Sequence, residues 1–408
     1  MTVNPSNGDI YIWRQDIGTI SVISKTSVVA TLSTGTSGQL VNEVYDSSDG
    51  YIYVVGSNPN PAPPGDVGQP LQEITVISGT KEVANITQWS GSTLAGNLIA
   101  GYFLGGTYDP SHGYVYFPTT NGVFVISGTS VITELTKGGL FRGSQALEFA
   151  YDPANGYVYG VNGAIGGYVT AISGTSIVAQ IPLNECQTPC SGTSSEAVVN
   201  QYSGLVYVPA GNSIYVISNA TIIAKLPSLF LSSSTAYDPS NHYLYFVNRL
   251  SPNTVSVLSG TSIIANMSVS SPGTPVVDPS TGNVYVQSGA GDQLTEISGT
   301  TVLGAIPIGS VQPGQFMFDQ FTGYAYLSNG VNTYAFSTGG STAQSSTVSS
   351  SPTVVATTSS STAAATSSNS SGGGGVPEFP YQLLTAVALT TLLAVAYLVV
   401  RLRAPARV

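Results

Sequence analysis

The chain has 408 residues, 42% of them hydrophobic and 7% charged, with 10 Lys and Arg against 20 Asp and Glu. This apolar content excludes a wholly disordered protein, and so few cations leave no footprint for binding DNA or RNA. Abundant Gly, Ser, Thr, Tyr and Val exclude a helical bundle and predict an all-β protein, because β-branched and aromatic side chains suit a pleated, half-buried surface. Charge is split between two parts of the chain. Residues 1–375 carry 7 Lys and Arg against 19 Asp and Glu, a net of −12, while residues 376–408 carry three Arg against one Glu, a net of +2.

Residues 1–336 are self-similar. Asn4, Asp46, Asp109, Asp152, Asn200, Asp238, Asp278 and Asp319 each open a five-residue turn such as Asp278-Pro279-Ser280-Thr281-Gly282, at intervals of 42, 63, 43, 48, 38, 40 and 41 residues. The chemistry of the turn explains its composition: the carboxylate accepts amide hydrogen bonds two residues on, Pro presets φ, and Gly supplies positive φ. The aspartates are therefore scaffold. Each unit then runs in a fixed order: strand a before the turn, strand b (Tyr243 to Asn248), a loop, strand c (Tyr215 to Ser218), a Ser-Gly-Thr turn, and strand d (Ser262 to Met267). Periods near forty residues with four strands per unit predict a β-propeller of four-stranded antiparallel blades. Eight repeats are counted; seven blades is the alternative if one unit is a partial blade.

Two gaps stand out in this count. The eighth unit enters a Ser/Thr-rich stretch where strand d belongs, and only Met1 to Val3 remain for the first strand a. Propellers remove exposed edges by closing the ring, commonly with an N-terminal strand completing the last blade. The expectation is a start upstream of Met1 that supplies the outer strand, the rest of strand a and a signal peptide, none of which Met1-Thr2-Val3-Asn4-Pro5 provides.

In a four-stranded meander the a–b and c–d turns share one face and the b–c and d–a loops share the other. The first set is uniformly short; all length variation falls in the second, at Gly56–Gln72, Gln88–Gly105, Thr136–Leu147 and Pro182–Glu196. Loops on a rigid scaffold carry binding, so the candidate ligand-binding residues are Asp66, Trp89, Tyr102, Arg142, Glu185 and Arg249, with Phe103 and Glu196 beside them. Trp89 either stacks on a sugar or partner or covers its own blade. Cys186 and Cys190, with three residues between them in one insertion of an exported chain, suit a small-loop disulfide. Sequons place candidate glycosylation at Asn85, Asn219, Asn266 and Asn369. Asn85 and Asn266 share a register with Thr31, Glu134, Gln180, Lys225 and Ala305 that faces solvent on the outermost strand.

His112 and His242 both sit in tight turns, and no HxH, HExxH or Cys/His cluster occurs, so no catalytic residue, metal or cofactor is predicted. A Ca²⁺ held by loop Asp and backbone oxygens stays compatible with the sequence.

Beyond the repeats, 22 of the 35 residues from Ser337 to Ser371 are Ser or Thr, without charge or aromatic residues. Residues 337–375 are read as a disordered stalk. Residues 376–380 follow, then Tyr381 to Val400, twenty residues without charge. At ~1.5 Å per residue this segment spans the roughly 30 Å hydrocarbon core, predicting one C-terminal transmembrane helix. Arg401, Arg403 and Arg407 make 401–408 a cytoplasmic tail and put the propeller outside the cell. Few charges and a pI near 4.4 suit an acidic habitat.

Tyr245-Phe246-Val247-Asn248, followed by a loop and Val-Ser-Val-Leu-Ser-Gly-Thr, resembles the YVTN-type β-propeller repeat of archaeal surface-layer proteins and of streptogramin-lyase-like and lactonase-like propellers. Tyr116-Phe117-Pro118-Thr119 and Tyr285-Val286-Gln287-Ser288 depart from it. Pro377-Glu378-Phe379 before the apolar span resembles archaeal PEF-type sorting signals. Together these imply a membrane-anchored cell-surface propeller, with surface proteins or glycans as partners and a role in surface-layer association, adhesion or recognition. The competing class is an exported propeller hydrolase or lyase, which carboxylates clustered in the central channel would favour.

Overall fold

The computed structural model describes residues 1–14, 19–25, 27–33, 42–58, 71–89, 92–93, 105–119, 122–136, 147–162, 167–183, 197–210, 213–227, 234–249, 252–308, 315–319, 323–328, 333–337 and 345–348. They form eight four-stranded antiparallel sheets, each an a-b-c-d meander, which makes the chain an eight-bladed β-propeller and removes the seven-bladed alternative. A two-residue ladder, Gln88–Trp89 with Ser92–Thr93, follows blade 2. One 3-10 turn, Gly289–Gly291, lies between strands b and c of blade 7. The predicted tail, PEF-like motif, spanning segment 381–400 and most of the predicted stalk lie outside the described residues.

Strands a of successive blades lie next to one another, so they form the inner wall and strands d the rim. Strands b and c are buried on both faces between two neighbouring blades, and read as unbroken apolar runs such as Val206-Tyr207-Val208. Strand d has one packed face and one wet one. Ser262–Ser268 accordingly alternates exposed and packed residues, the period-2 pattern of a half-buried strand.

Blades 1 to 7 all carry a β-bulge near the start of strand d, with register shifts such as that between Val257 and Leu258. A bulge inserts one residue and reverses which side of the sheet the following residues face. Thus Ile263 packs toward blade 5 while Ala265, two residues on, packs toward blade 7. The inserted residue, Ile264, is left 43% exposed at the rim. Its counterparts Val29, Val83, Ile132, Val178, Ile223 and Leu303 are exposed in the same way.

A second repeated device joins the blades. Tyr11, Tyr53, Tyr116, Tyr159, Tyr207, Tyr245, Tyr285 and Tyr326, one per strand b, are the largest fully buried side chains or nearly so. In most blades the hydroxyl donates to a carbonyl in the c–d turn of the next blade: Tyr11 to Gly79 (2.8 Å), Tyr53 to Gly128 (2.9 Å), Tyr116 to Gly174 (2.9 Å), Tyr207 to Gly260 (2.8 Å) and Tyr245 to Gly299 (3.0 Å). The accepting glycines have φ between +55° and +57°, as the first central residue of a two-residue hairpin turn requires. Where Asn219-Ala220 replaces Gly-Thr, the Ala220 amide instead donates to the Tyr159 hydroxyl at 3.3 Å. Tyr285 turns to Glu296 of its own blade, at 3.2 Å.

Ring closure corrects the expectation of an upstream strand. The outer strand of blade 8 is Ser345–Val348, paired with strand c from Thr333 to Phe336. The propeller thus draws Ser337 and the four residues of this outer strand from the stretch read as stalk. An outer strand needs main-chain hydrogen bonds on one side only, which a Ser/Thr sequence supplies as well as any other. Strand a of blade 1, Thr2–Asn4, is as long as those of blades 3, 5 and 6, so three residues suffice. Both terminal blades carry their own four strands. They meet through Ile10, Ile12 and Ile23 against Tyr326 and Ala335, and Tyr326 donates to the Lys25 carbonyl at 2.6 Å.

Candidate functional site

The aspartates at the end of strand a are 2% exposed or less. Their carboxylates accept turn amides: Ser48 to Asp46, Ser111 to Asp109, Ala154 to Asp152, Ser240 to Asp238 and Ser280 to Asp278, all at 2.8–2.9 Å. Asn4 and Asn200 accept amides at the same place in blades 1 and 5. Desolvation raises the Asp152 carboxyl, with the Ala154 amide opposing. These groups are consumed by the scaffold. Tyr45, Tyr108, Tyr151, Tyr237, Val276 and Phe318 are among the partly exposed residues of the inner strands, as is Glu43, which pairs with the Met1 amino group at 3.3 Å. Among the described residues no group of three His, Cys, Asp or Glu gathers in metal-binding proximity.

Both histidines sit in a–b turns. His112 Nδ1 lies 2.7 Å from Asp109 Oδ2 and 2.9 Å from Ser111 Oγ. The Ser and the Asp compete for one ring nitrogen, so this Ser-His-Asp contact is a turn lock and lacks the relay geometry of a triad, in which they occupy opposite nitrogens.

On the loop face the structure describes two of the six candidate ligand residues. Trp89 is half-buried in the core between blades 2 and 3, its ring edge-on to Phe124 at 6.2 Å. Arg249 is exposed just after strand b of blade 6. Blades 2 and 6 stand half a ring apart, so these two residues do not converge. Asp66, Tyr102, Arg142, Glu185, Phe103, Glu196, Cys186, Cys190 and Asn369 lie outside the described residues. Asn85, Asn219 and Asn266 are all exposed. Asn85 Nδ2 donates to Glu73, Asn266 Oδ1 accepts from Ser256 at 2.6 Å, and Asn219 tips a hairpin with φ +47°.

The structure adds a collar of buried polar groups under the loop face that sequence reasoning missed. In blade 6, Asn248 Nδ2 donates to Thr254 and Ser256, both at 2.9 Å, and Ser256 passes the chain on to Asn266. In blade 7, Ser288 and Thr295 are 2.7 Å apart. In blade 3, Thr119 donates to Glu134 at 2.7 Å. In blade 2, Glu73 is 4% exposed, with Asn85 on one oxygen and no partner for the other among the described residues. The detectable signal was polar residues interrupting the apolar runs of strands b and c at their loop ends. Such a collar places amides, hydroxyls and the carboxyls of Glu73 and Glu134 at the loop ends of the strands.

Desolvation raises the Glu73 carboxyl, with the Asn85 hydrogen bond opposing. A carboxyl raised on folding costs stability once ionised. That stability is fully present below the unfolded value, near 4.3, and is lost as pH rises through the folded value. Glu73→Gln keeps an acceptor for Asn85 and is expected to stabilise the protein at pH 7. In thermal melts the gain should vanish below about pH 4.

No protein-family model matches the chain, and no characterised protein matches it in sequence. Solved structures match in shape. Sqt1 of Saccharomyces cerevisiae aligns at 12% identity over 79% of this chain and 88% of its own, with TM-score 0.56. The C-terminal WD40 domain of Sif2 aligns at 10% identity over 74% and 82%, with TM-score 0.52. A eukaryotic initiation factor aligns at 11% identity over 84% and 85%, with TM-score 0.50. At such identities the likeness establishes a WD40-like β-propeller fold and nothing finer.

Proposed function

We propose that this chain is a membrane-anchored cell-surface β-propeller that binds protein or glycan partners through its b–c and d–a loops, in surface-layer association, adhesion or recognition. The observation that carries the binding reading is the division of the two faces: uniformly tight turns on one, and on the other every insertion together with buried polar groups at the strand ends of blades 2, 3, 6 and 7. The aspartates of the inner wall are bound into turns, which favours a recognition module over a carboxylate-based hydrolase or lyase. Support for anchorage comes from the uncharged segment 381–400 with Arg401, Arg403 and Arg407 behind it. Tyr-rich repeats of YVTN type and the Pro377-Glu378-Phe379 motif support an archaeal surface protein, and the exposed sequons at Asn85, Asn219 and Asn266 suit glycosylation.

Brief protease treatment of intact cells, followed by mass spectrometry, tests this reading. The expected result is release of propeller peptides, with added glycan mass on at least one of Asn85, Asn219 and Asn266. Propeller peptides that appear only after lysis would overturn it.

A further inference from the structure

We propose that the adjoining a–b turns of blades 5 and 6 form a platform that stacks a neutral saccharide ring, on the face opposite the long loops. These two turns break the repeat in complementary ways. Seven blades place Gly at the end of this turn, with φ between +65° and +74°. Blade 6 places His242 there at φ +63°, a conformation that a side chain bearing Cβ adopts only at a cost. Blade 5 places Gln201-Tyr202 where four other blades have Pro-Ser.

The two departures meet in space. The Tyr202 and His242 rings stack at 4.0 Å and 12°, whereas other ring pairs among the described residues stand at 6.0–6.5 Å. His242 is held from behind, its Nδ1 3.1 Å from the Tyr237 hydroxyl and its carbonyl accepting from Asn200 Nδ2 at 3.0 Å. The energy of such a stack is comparable to the cost of the left-handed backbone, so the pair brings little net stability. It leaves Tyr202 75% exposed on a rigid support.

The chemistry around this ring selects the ligand class. Gln201, Ser203 and Ser240 are exposed beside it, and the only charged residue in the two turns, Asp238, is buried and bonded to its own turn. A phosphate or acidic group finds no Lys or Arg in these two turns, and an ammonium finds no exposed carboxylate. The C–H face of a pyranose fits an open tyrosine ring, and its hydroxyls find neutral amide and hydroxyl partners. The site is independent of the loop face, so its failure would leave the proposed function standing.

Saturation-transfer difference NMR on the full-length chain in detergent, with mannotriose, chitotriose and cellotriose as probes, tests the platform. Ring-proton saturation of at least one trisaccharide is expected, cut at least tenfold by Tyr202→Ala and by His242→Gly. Because His242→Gly restores the repeat's glycine, it should lose binding while its melting temperature rises or holds. Absence of transfer to all three trisaccharides, or transfer that survives Tyr202→Ala, would overturn the proposal.

Discussion

Raising the pH above 10 should unfold the propeller in one steep, cooperative step. Burial raises the hydroxyls of Tyr53, Tyr116 and Tyr159 and pushes those of Tyr11, Tyr207, Tyr245 and Tyr285 up to about 12. Neighbouring carboxylates add to the rise at Tyr11 (Asp9), Tyr53 (Asp49), Tyr116 (Asp109) and Tyr285 (Glu296). A group raised on folding contributes stability that is intact below its unfolded value, near 10 for tyrosine, and lost as pH climbs toward the folded value. With seven such protons the dependence reaches about 10 kcal/mol per pH unit at its steepest. That slope exhausts a typical domain's ~5–15 kcal/mol within about one to two units. Tyrosinate absorbance and circular dichroism should therefore change together near pH 11, after the exposed tyrosines have titrated. Buried tyrosines that ionise while the β signal persists would contradict the ladder. Tyr207→Phe should lower the steepness by one proton and cost about 1–2 kcal/mol at neutral pH, because the Gly260 carbonyl loses its donor.

Gly160 and Phe149 should behave as a single unit. They face each other across strands a and b of blade 4, and a Cβ added at Gly160 would lie 2.5 Å from Phe149 Cε1. Five other blades place Val or Phe at the equivalent of Gly160, at Val54, Phe117, Val208, Phe246 and Val286. Blade 4 fills that volume from the opposite strand. Gly160→Val should cost about 2–3 kcal/mol by overpacking and Phe149→Ala about 3–5 kcal/mol by leaving a cavity. The double variant should be more stable than the sum of the two losses by at least 1–2 kcal/mol. Urea melts of the four proteins give the coupling directly. Simple additivity would mean that Phe149 does not occupy the glycine's space.

The repeat was legible because each blade needs the same chemistry at the same place. An Asx-type turn calls for Asp or Asn with a positive-φ residue at its end, and a two-residue hairpin for positive φ at its first position; Gly meets both needs in most blades, with His242, Lys25 and Asn219 as the departures, so both leave a visible mark. What joins blade to blade leaves none. The Tyr207 hydroxyl meets a carbonyl 53 residues away, and a backbone acceptor has no residue signature. The strand Ser345–Val348 was hidden because an outer strand imposes few side-chain requirements, and a Ser/Thr run reads as tether. His242 and Tyr202 are visible as departures from the repeat, but the stack between them depends on two turns 38 residues apart in sequence meeting across a blade boundary. For Trp89 the sequence offers stacking on a partner or cover of its own blade; the ring order of blades 2 and 3, which it does not show, seats the side chain against Phe124.

The propeller is a ring of eight complete blades, and its least conventional element is the last strand. Hydrogen–deuterium exchange on the intact protein, followed on peptides covering Ser337 to Pro352, tests it most directly. Protection at Ser345–Val348 well above that of the Ser/Thr run from Thr357 onward is the predicted result. Exchange of Ser345–Val348 at the rate of an unstructured chain would leave blade 8 with three strands and contradict closure of the ring by complete terminal blades.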